Sequence, residues 1–445
     1  MMREPAFTLL PRPPRMELGG KRVLVLGLGD TGLSVARWVE RCGAKPRVAD
    51  TRQSPPRIND FKGDVRTGPF GSALLDGADL VCISPGLPLE EPLILEARQR
   101  RIPVVGDVEL FAWHNAAKVL AITGTNGKST VTALTGHLLR GAGVDCEVAG
   151  NIGPAVLEAS MRRRAAPAAW VLELSSYQLE TTWSLAPHAA AVLNLTEDHL
   201  DRYAGLEDYA AAKARIFQGA GVQILNRDDP RVLAMAVAGR KHATFSLSDG
   251  ADFCIRDGVL IGGGRKLIEA AALPIRGWHN AANALAACAL AATLDVPLGA
   301  LAAGLKTFKG LPHRLELVRT RHGVEWYDDS KGTNVGATIA ALKGLAKPTV
   351  VILGGEGKGQ DFSPLAAPAA QFARAVLLIG RDAAIIEKAV PGERCASLEE
   401  AVQRAARLAQ PGDAVLLSPA CASFDMFRDY KHRGEVFAAA VRGLP

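Results

Sequence analysis

Aromatic residues are scarce in this chain, at 5% of 445 positions, while 48% of positions are hydrophobic. Its cores must be filled mainly by aliphatic side chains, and platforms for stacking exposed nucleobases are few. Long apolar runs are missing too, with nothing near the roughly 18 unbroken residues of a membrane span, so no membrane span is expected. The opening MMREPAFTLLPRPPRMELGGKR has prolines and arginines where a signal peptide would have its apolar stretch, and a cytoplasmic protein is expected. CxxC pairs are absent. The seven cysteines (Cys42, Cys82, Cys146, Cys254, Cys288, Cys395 and Cys421) stand singly in strand-like or helix-like contexts, which predicts buried free thiols. No charge excess dominates: the net +6 is spread out, and the basic run Arg162-Arg163-Arg164 has no interleaved aromatics. No nucleic-acid surface is expected, whereas anionic small molecules suit a mild positive balance.

What the chain does have is alternation. After a lead over residues 1–20, KRVLVLGLG, TGLSVARWVERCG, PRVAD, ADLVCISPG, EEPLILEARQRR and IPVVGD alternate strand-like and helix-like text. This predicts βαβ units and a parallel sheet over residues 21–106. AKVLAITGTNGKSTVTALTGHLLRGAG opens a second unit, taken as residues 107–310. Its strands AAWVLELSS and AAAVLNLTEDH gather polar residues at their C-terminal ends, where open α/β sheets bind ligands. A β-rich stretch, TFSLSDGADFCIRDGVLIGGG, and a helix, NAANALAACALAATLD, follow. Near Leu311-Pro312-His313-Arg314 a third cycle begins, with strands GVEWYDDS, PTVVILGG, RAVLLIG and AVLLSPA over residues 311–445. The expected fold class is α/β with three domains in series: a Rossmann-like N-terminal domain, a central P-loop-type ATPase α/β domain and a C-terminal Rossmann-like α/β domain.

The chemistry centres on Gly124, Thr125, Asn126, Gly127, Lys128, Ser129 and Thr130. A glycine-rich turn between a buried strand and a helix aims backbone N–H groups and the positive helix end at one point, which favours a polyphosphate. Lys128 adds a mobile cation, and the Ser129 hydroxyl suits the magnesium that accompanies ATP. Ile122 stands where the strict GxxxxGK[ST] pattern has its first glycine. A second glycine loop, Gly27-Leu28-Gly29-Asp30-Thr31-Gly32, precedes Asp50, Thr51 and Arg52 and suits either a dinucleotide or a nucleotide-bearing substrate. Glu173, at a strand end, is a candidate magnesium ligand. In the run Asn194-Leu195-Thr196-Glu197-Asp198-His199-Leu200-Asp201, His199 is a candidate second metal ligand, while a helix cap explains Glu197 and Asp201 equally well. Lys213 lies among alanines in DYAAAKARIF, as either a snorkelling or a functional lysine. Asn280 and Asn283 fall one helical turn apart and can face one partner, such as an adenine edge. If the third domain closes over ATP, Arg314 and Lys331, the latter close to Asp329 in the sequence, would neutralise the transferring phosphoryl group. Gly354-Gly355-Glu356-Gly357-Lys358 can grip a carboxylate or a phosphate.

The ordered set GTNGKST, GNIG, ELSSYQLE, NLTEDHLDRY, AAK, HNAANALAA, LPHR, DSKGTN, GGEGK and SPACASFDMF resembles the Mur ligases of peptidoglycan assembly from about Lys21 to the C-terminus. DSKGTN with SPACAS points to the member that adds D-glutamate. The resemblance implies an ATP-dependent ligase acting on UDP-N-acetylmuramoyl-L-alanine and D-glutamate through an acyl phosphate, expected as a monomer. It implies that Asp30, Thr31, Asp50, Thr51, Arg52, Ser84 and Gly86 bind the UDP part, with Asn151 nearer the reacting end. It further implies MgATP on 124–130, Glu173, Asn283, Arg314 and Asp329. Two magnesium ions are implied, one on Ser129 and Glu173, the other on His199 and a carbamylated Lys213. D-glutamate would rest against Thr333, Lys358, Ser423 and Tyr430, and Lys128, Glu173, His199, Lys213 and Lys331 would carry the reaction. The residues alone leave three rivals open: a sister ligase, a nicotinamide-dependent dehydrogenase built on GLGDTG, and a nucleotide sensor.

Overall fold

The computed structural model describes residues 11–198 and 202–445. Short aliphatic runs with both faces apolar, such as LVCI at Leu80–Ile83 and TVVILG at Thr349–Gly354, become the fully buried centres of parallel sheets. Three sheets follow one another along the chain. In the first, Asp64–Thr67, Lys45–Asp50, Arg22–Leu26, Leu80–Ile83 and Val104–Val105 lie side by side in that order, all parallel. The chain changes direction of travel between Arg22–Leu26 and Leu80–Ile83, so the loops after these two strands flank a crevice. They approach closely enough that a Cβ on Gly27 would sit 2.7 Å from Ser84 Oγ, and one on Gly32 would sit 1.8 Å from the Gly27 carbonyl oxygen.

The second sheet has nine strands. Lys118–Thr123 is an interior strand flanked by Ala169–Glu173 and Ala189–Val192, with Cys146–Gly150 at one edge. Beyond Val222–Asn226 and His242–Phe245, the β-rich stretch forms an antiparallel meander of Phe253–Arg256, Val259–Gly262 and Arg265–Glu269. In the third sheet, Val324–Asp328, Ala414–Leu417, Thr349–Gly354, Ala373–Ile379 and Glu393–Arg394 run parallel, and Glu316–Arg321 adds an antiparallel edge.

The first two sheets share one apolar core, which runs from Val23 and Val25 to Trp170, Leu172 and Ala190. The helix Asp107–His114 joins them: Phe111 meets Trp170 edge-on with ring centres 5.1 Å apart. Its Glu109 is fully buried and accepts from Trp113 Nε1 (2.8 Å) and from the N–H groups of Trp183 (2.6 Å) and Ser184 (2.8 Å). The third sheet carries separate cores on its two faces. The first ten residues of the lead lie outside the described residues, while Leu18 is buried and its carbonyl accepts from the Lys21 N–H. Six cysteines are buried, Cys42 is half-buried, and all are free. Among the described residues, no helix is long and apolar enough to cross a membrane.

The shared core predicts shared unfolding. Phe111→Ala should lower stability by about 3–5 kcal/mol. The first two sheets should still melt in one transition in a denaturant titration followed by tryptophan emission. A separate early transition of the first sheet would contradict this.

Candidate active site

The phosphate-type loop spans the gap between the strand Lys118–Thr123 and the helix Lys128–Gly141. Gly127 needs to be glycine twice over. Its φ is +85°, and a Cβ there would lie 2.3 Å from Asn283 Oδ1. Asn283 is held in turn: its Nδ2 donates to Asn280 Oδ1 at 3.1 Å, and Asn280 Nδ2 donates to the Arg276 carbonyl at 2.7 Å. Asn280 therefore orients Asn283 instead of sharing a ligand face with it. On the other side, Asn194 Oδ1 accepts from the Asn126 N–H (2.8 Å) and its Nδ2 donates to the Asn126 carbonyl (3.0 Å). Thr125 Oγ1 exchanges hydrogen bonds with the Thr196 backbone, both at 3.1 Å. The segment from Asn194 thus braces the loop, and among the described residues the next helix is Leu206–Ala214.

Four basic side chains surround this loop. Lys128 Nζ donates to the carbonyls of Gly124 (2.8 Å) and Thr125 (2.7 Å). Lys213 is 1% exposed; its Nζ donates to the Gly124 carbonyl at 2.9 Å and lies 4.4 Å from the Tyr209 ring centre. Arg314 Nη2 donates to Ser129 Oγ at 2.6 Å. Lys331 Nζ stands 4.0 Å over the Tyr430 ring. Burial lowers the Lys128 pKa, and burial together with the Lys128 charge drives Lys213 well below the ordinary lysine value. Burial and then the Arg314 charge bring Lys331 to about 8.

Among the acids facing these cations, Glu173 is 2% exposed. Its Oε1 accepts from Asn151 Nδ2 at 2.7 Å, while its Oε2 is buried with no hydrogen-bond partner among the described residues. A carboxylate oxygen kept dry and unpaired among cations suits a metal ion. Asp198 Oδ2 accepts from Asn334 Nδ2 at 3.4 Å. Arg314 is aimed by two strained neighbours: His313 and Leu315 have φ of +61° and +49°. His313 Nδ1 is 2.7 Å from Asp328 Oδ2, and the Leu315 N–H donates to Asp329 Oδ1 at 3.1 Å.

All three sheets contribute to one cavity of about 1350 Å³. Of the predicted residues, it is lined by Gly86, Thr125, Asn126, Gly127, Lys128, Ser129, Asn151, Glu173, Lys213, Arg314, Lys331, Thr333, Lys358 and Tyr430. The cavity wall does not include Asp30, Thr31, Asp50, Thr51, Arg52, Ser84, Gly124, Thr130, Asn283, Asp329 or Ser423. Asp50 is engaged internally: Oδ2 accepts from the Leu28 N–H at 2.7 Å and from Arg52, which steadies the first glycine loop. The unfavourable charge of Asp30 is met by Arg57 at 2.6 Å. Asp329 is half-buried behind the wall, where it also accepts from Ser418 Oγ at 2.8 Å; desolvation raises its carboxyl to about 7. Ser423 is 2% exposed. His199 lies outside the described residues. Tyr177, Tyr209 and Gln360 also line the cavity without having been singled out in the sequence. Of these, Tyr209 had a readable signal, one helical turn ahead of Lys213.

Residues 21–106 match the Mur ligase MurD-like N-terminal domain, 122–291 the Mur ligase middle domain, and 313–421 the Mur ligase glutamate ligase domain. A protein of Nitrosospira multiformis named UDP-N-acetylmuramoylalanine--D-glutamate ligase is 57% identical, covering 96% of this chain and 97% of its own. The chain belongs to the Mur ligase family. A protein of the same name from Thiobacillus denitrificans is 55% identical over 96% of this chain and 98% of its own. The fold is shared with MurC from Thermotoga maritima (TM-score 0.62, 18% identity, 95% of this chain and 99% of that one). It is shared equally with MurF from Acinetobacter baumannii (TM-score 0.62, 20% identity, 96% and 92%). In this Mur ligase the middle-domain match contains Gly124, Glu173, Lys213 and Asn283, and the glutamate-ligase match contains Arg314, Lys331, Thr333 and Lys358.

Asp329 gives a pH signature. Its folded pKa of about 7 lies above the ordinary 3.8, so its contribution to stability is full below pH 3.8 and is lost as pH rises through 7. Asp329→Asn should lose less stability than the parent across that interval in denaturant titrations. Parallel pH profiles would contradict the assignment.

Proposed function

We propose that this Mur ligase joins D-glutamate to the alanyl carboxylate of UDP-N-acetylmuramoyl-L-alanine, converting ATP to ADP and phosphate, in the cytoplasm and as a monomer. The observation that carries the reading is the unpaired Glu173 Oε2 set among Lys128, Arg314 and Lys331 at the glycine loop. The full-length relatives at 57% and 55% identity bear the name of this reaction.

The division of labour is 21–106 for the UDP substrate, 107–310 for ATP and 311–445 for the amino acid. Asp30, Thr31, Asp50, Thr51, Arg52, Ser84 and Gly86 serve the UDP part, with Asp50 acting through the loop it steadies, and Asn151 serves the reacting end. Asn283 serves the adenine, and Thr333, Lys358, Ser423 and Tyr430 serve D-glutamate. Ser129 and Glu173 would hold one magnesium ion, and His199 with a carbamate on Lys213 would hold a second. Bound magnesium neutralises phosphate charge and draws electrons from the transferring phosphoryl group.

A carboxylate is a poor electrophile, so an amide cannot form from it directly in water. The acceptor carboxylate attacks the γ-phosphorus, the bond to the ADP oxygen breaks, and an acyl phosphate results. Lys128 and Lys331 stabilise the charge that spreads over the transferring oxygens. Arg314 swings from Ser129 Oγ to the same phosphates. The D-glutamate ammonium gives up a proton to His199 or a nearby carboxylate, its amine adds to the acyl carbon, and phosphate leaves. The cavity walls from three domains keep water from the acyl phosphate.

Two measurements test this reading. ADP should appear only when ATP, UDP-N-acetylmuramoyl-L-alanine and D-glutamate are all present; equal release without D-glutamate would contradict the ligase. Lys213 combines with CO2 as a neutral amine, releasing a proton, and its burial supplies that neutral form. Enzyme equilibrated with ¹³CO2 should show a carbamate carbon that disappears in Lys213→Ala, together with most of the activity. A fully active enzyme without that signal would remove the carbamate.

A further inference from the structure

Arg202 does not line the large cavity, yet it joins two of its walls. Its Nη1 donates to the Leu87 carbonyl at 2.9 Å and its Nη2 to Glu180 Oε2 at 2.5 Å, and its guanidinium lies 4.4 Å from the Tyr177 ring centre. The contact is shielded, with the Arg202 side chain 12% exposed and that of Glu180 2%. The other Glu180 oxygen accepts from the Tyr203 hydroxyl at 2.5 Å. A pair this buried, with both partners hydrogen-bonded, is geometrically defined in a way that an exposed pair is not.

Leu87 belongs to the first domain. Its N–H donates to the Ser84 carbonyl at 3.1 Å, closing the turn after Leu80–Ile83, and Ser84 Oγ donates to the Gly27 carbonyl at 3.4 Å. Arg202 therefore grips the turn that faces the first glycine loop. Glu180 and Tyr177 belong to the central-domain helix Ser176–Glu180, which starts three residues after Glu173. Gly86 of the turn and Tyr177 of the helix both line the cavity.

We propose that Arg202 is a positioning residue that transmits the grip on the acceptor's nucleotide to its reacting carboxylate. The proposal rests on the ligase reading above. An acceptor held at its uridine end by the first domain and at its carboxylate end by the central domain is placed only as accurately as those two domains are fixed to each other. Binding energy from the remote nucleotide lowers the barrier only when it is converted into alignment at the reacting atoms. The Arg202 contact sits between the two grips and performs that conversion.

The test compares parent, Arg202→Ala and Arg202→Lys on the full acceptor and on 1-phospho-N-acetylmuramoyl-L-alanine, which lacks the uridylyl group. ADP is followed at saturating ATP and D-glutamate. With the full acceptor, Arg202→Ala should lower kcat/KM about 10- to 100-fold. With the truncated acceptor the loss should be under about threefold, because no nucleotide grip remains to be transmitted. The KM for ATP should not move. Arg202→Lys keeps a cation beside Glu180 and so the fold, but a single ammonium cannot replace the two-pronged bond. It should show the same pattern more weakly, and it carries the comparison if the alanine variant does not fold. Equal fold-losses on both acceptors, or no loss on the full one, would overturn the proposal. A parent that forms no ADP from either acceptor would instead remove the ligase reading.

Discussion

Positive charge gathered at the C-terminal end of the strand Lys118–Thr123 is the constraint on which the rest of this structure depends. Lys128, Arg314 and Lys331 are drawn from two domains to one loop beside the buried Lys213, and Glu173 and Asp198 face them. Burial opposes charge on such a cluster and is the main reason the pKa values of the three lysines are depressed, with neighbouring cations adding to it. Backbone carbonyls relieve part of the cost: those of Gly124 and Thr125 take Lys128, and that of Gly124 also takes Lys213. A polyphosphate relieves far more, and it can do so only where these carbonyls and cations converge.

The surrounding scaffold keeps the loop from relaxing. Asn283 blocks any side chain at Gly127, Asn194 clamps both backbone groups of Asn126, and Thr125 is tied to Thr196. Arg314 arrives on a left-handed backbone pinned by Asp328 and Asp329. The third domain pins its own loops in the same manner. Arg433 is fully buried and donates to the carbonyls of Ser330, Cys421 and Ala422, which joins the segment carrying Lys331 and Thr333 to the one carrying Ser423.

How much of this was legible depended on whether the signal was local. The phosphate-type loop could be read because strand, glycines, Lys128 and helix are contiguous, whereas Lys213 stayed open between a snorkelling and a functional lysine until its burial against the Gly124 carbonyl was seen. The three sheets followed from alternation alone. The contacts of Asp50 were hidden, because a carboxylate at a strand end looks the same whether it faces a ligand or folds back onto Leu28 and Arg52. The surroundings of Asp329 were hidden similarly, since the Ser418 hydroxyl that donates to it lies far along the chain. Arg202 was invisible because its partners, Leu87 and Glu180, meet it only in the folded protein.

The central claim is that the cation cluster activates a carboxylate by moving a phosphoryl group onto it. The most direct measurement uses UDP-N-acetylmuramoyl-L-alanine labelled with ¹⁸O in its free carboxylate and mass analysis of the phosphate released in one turnover. Transfer through an acyl phosphate places one ¹⁸O in each phosphate formed. Phosphate free of label would mean that the cluster serves some other chemistry.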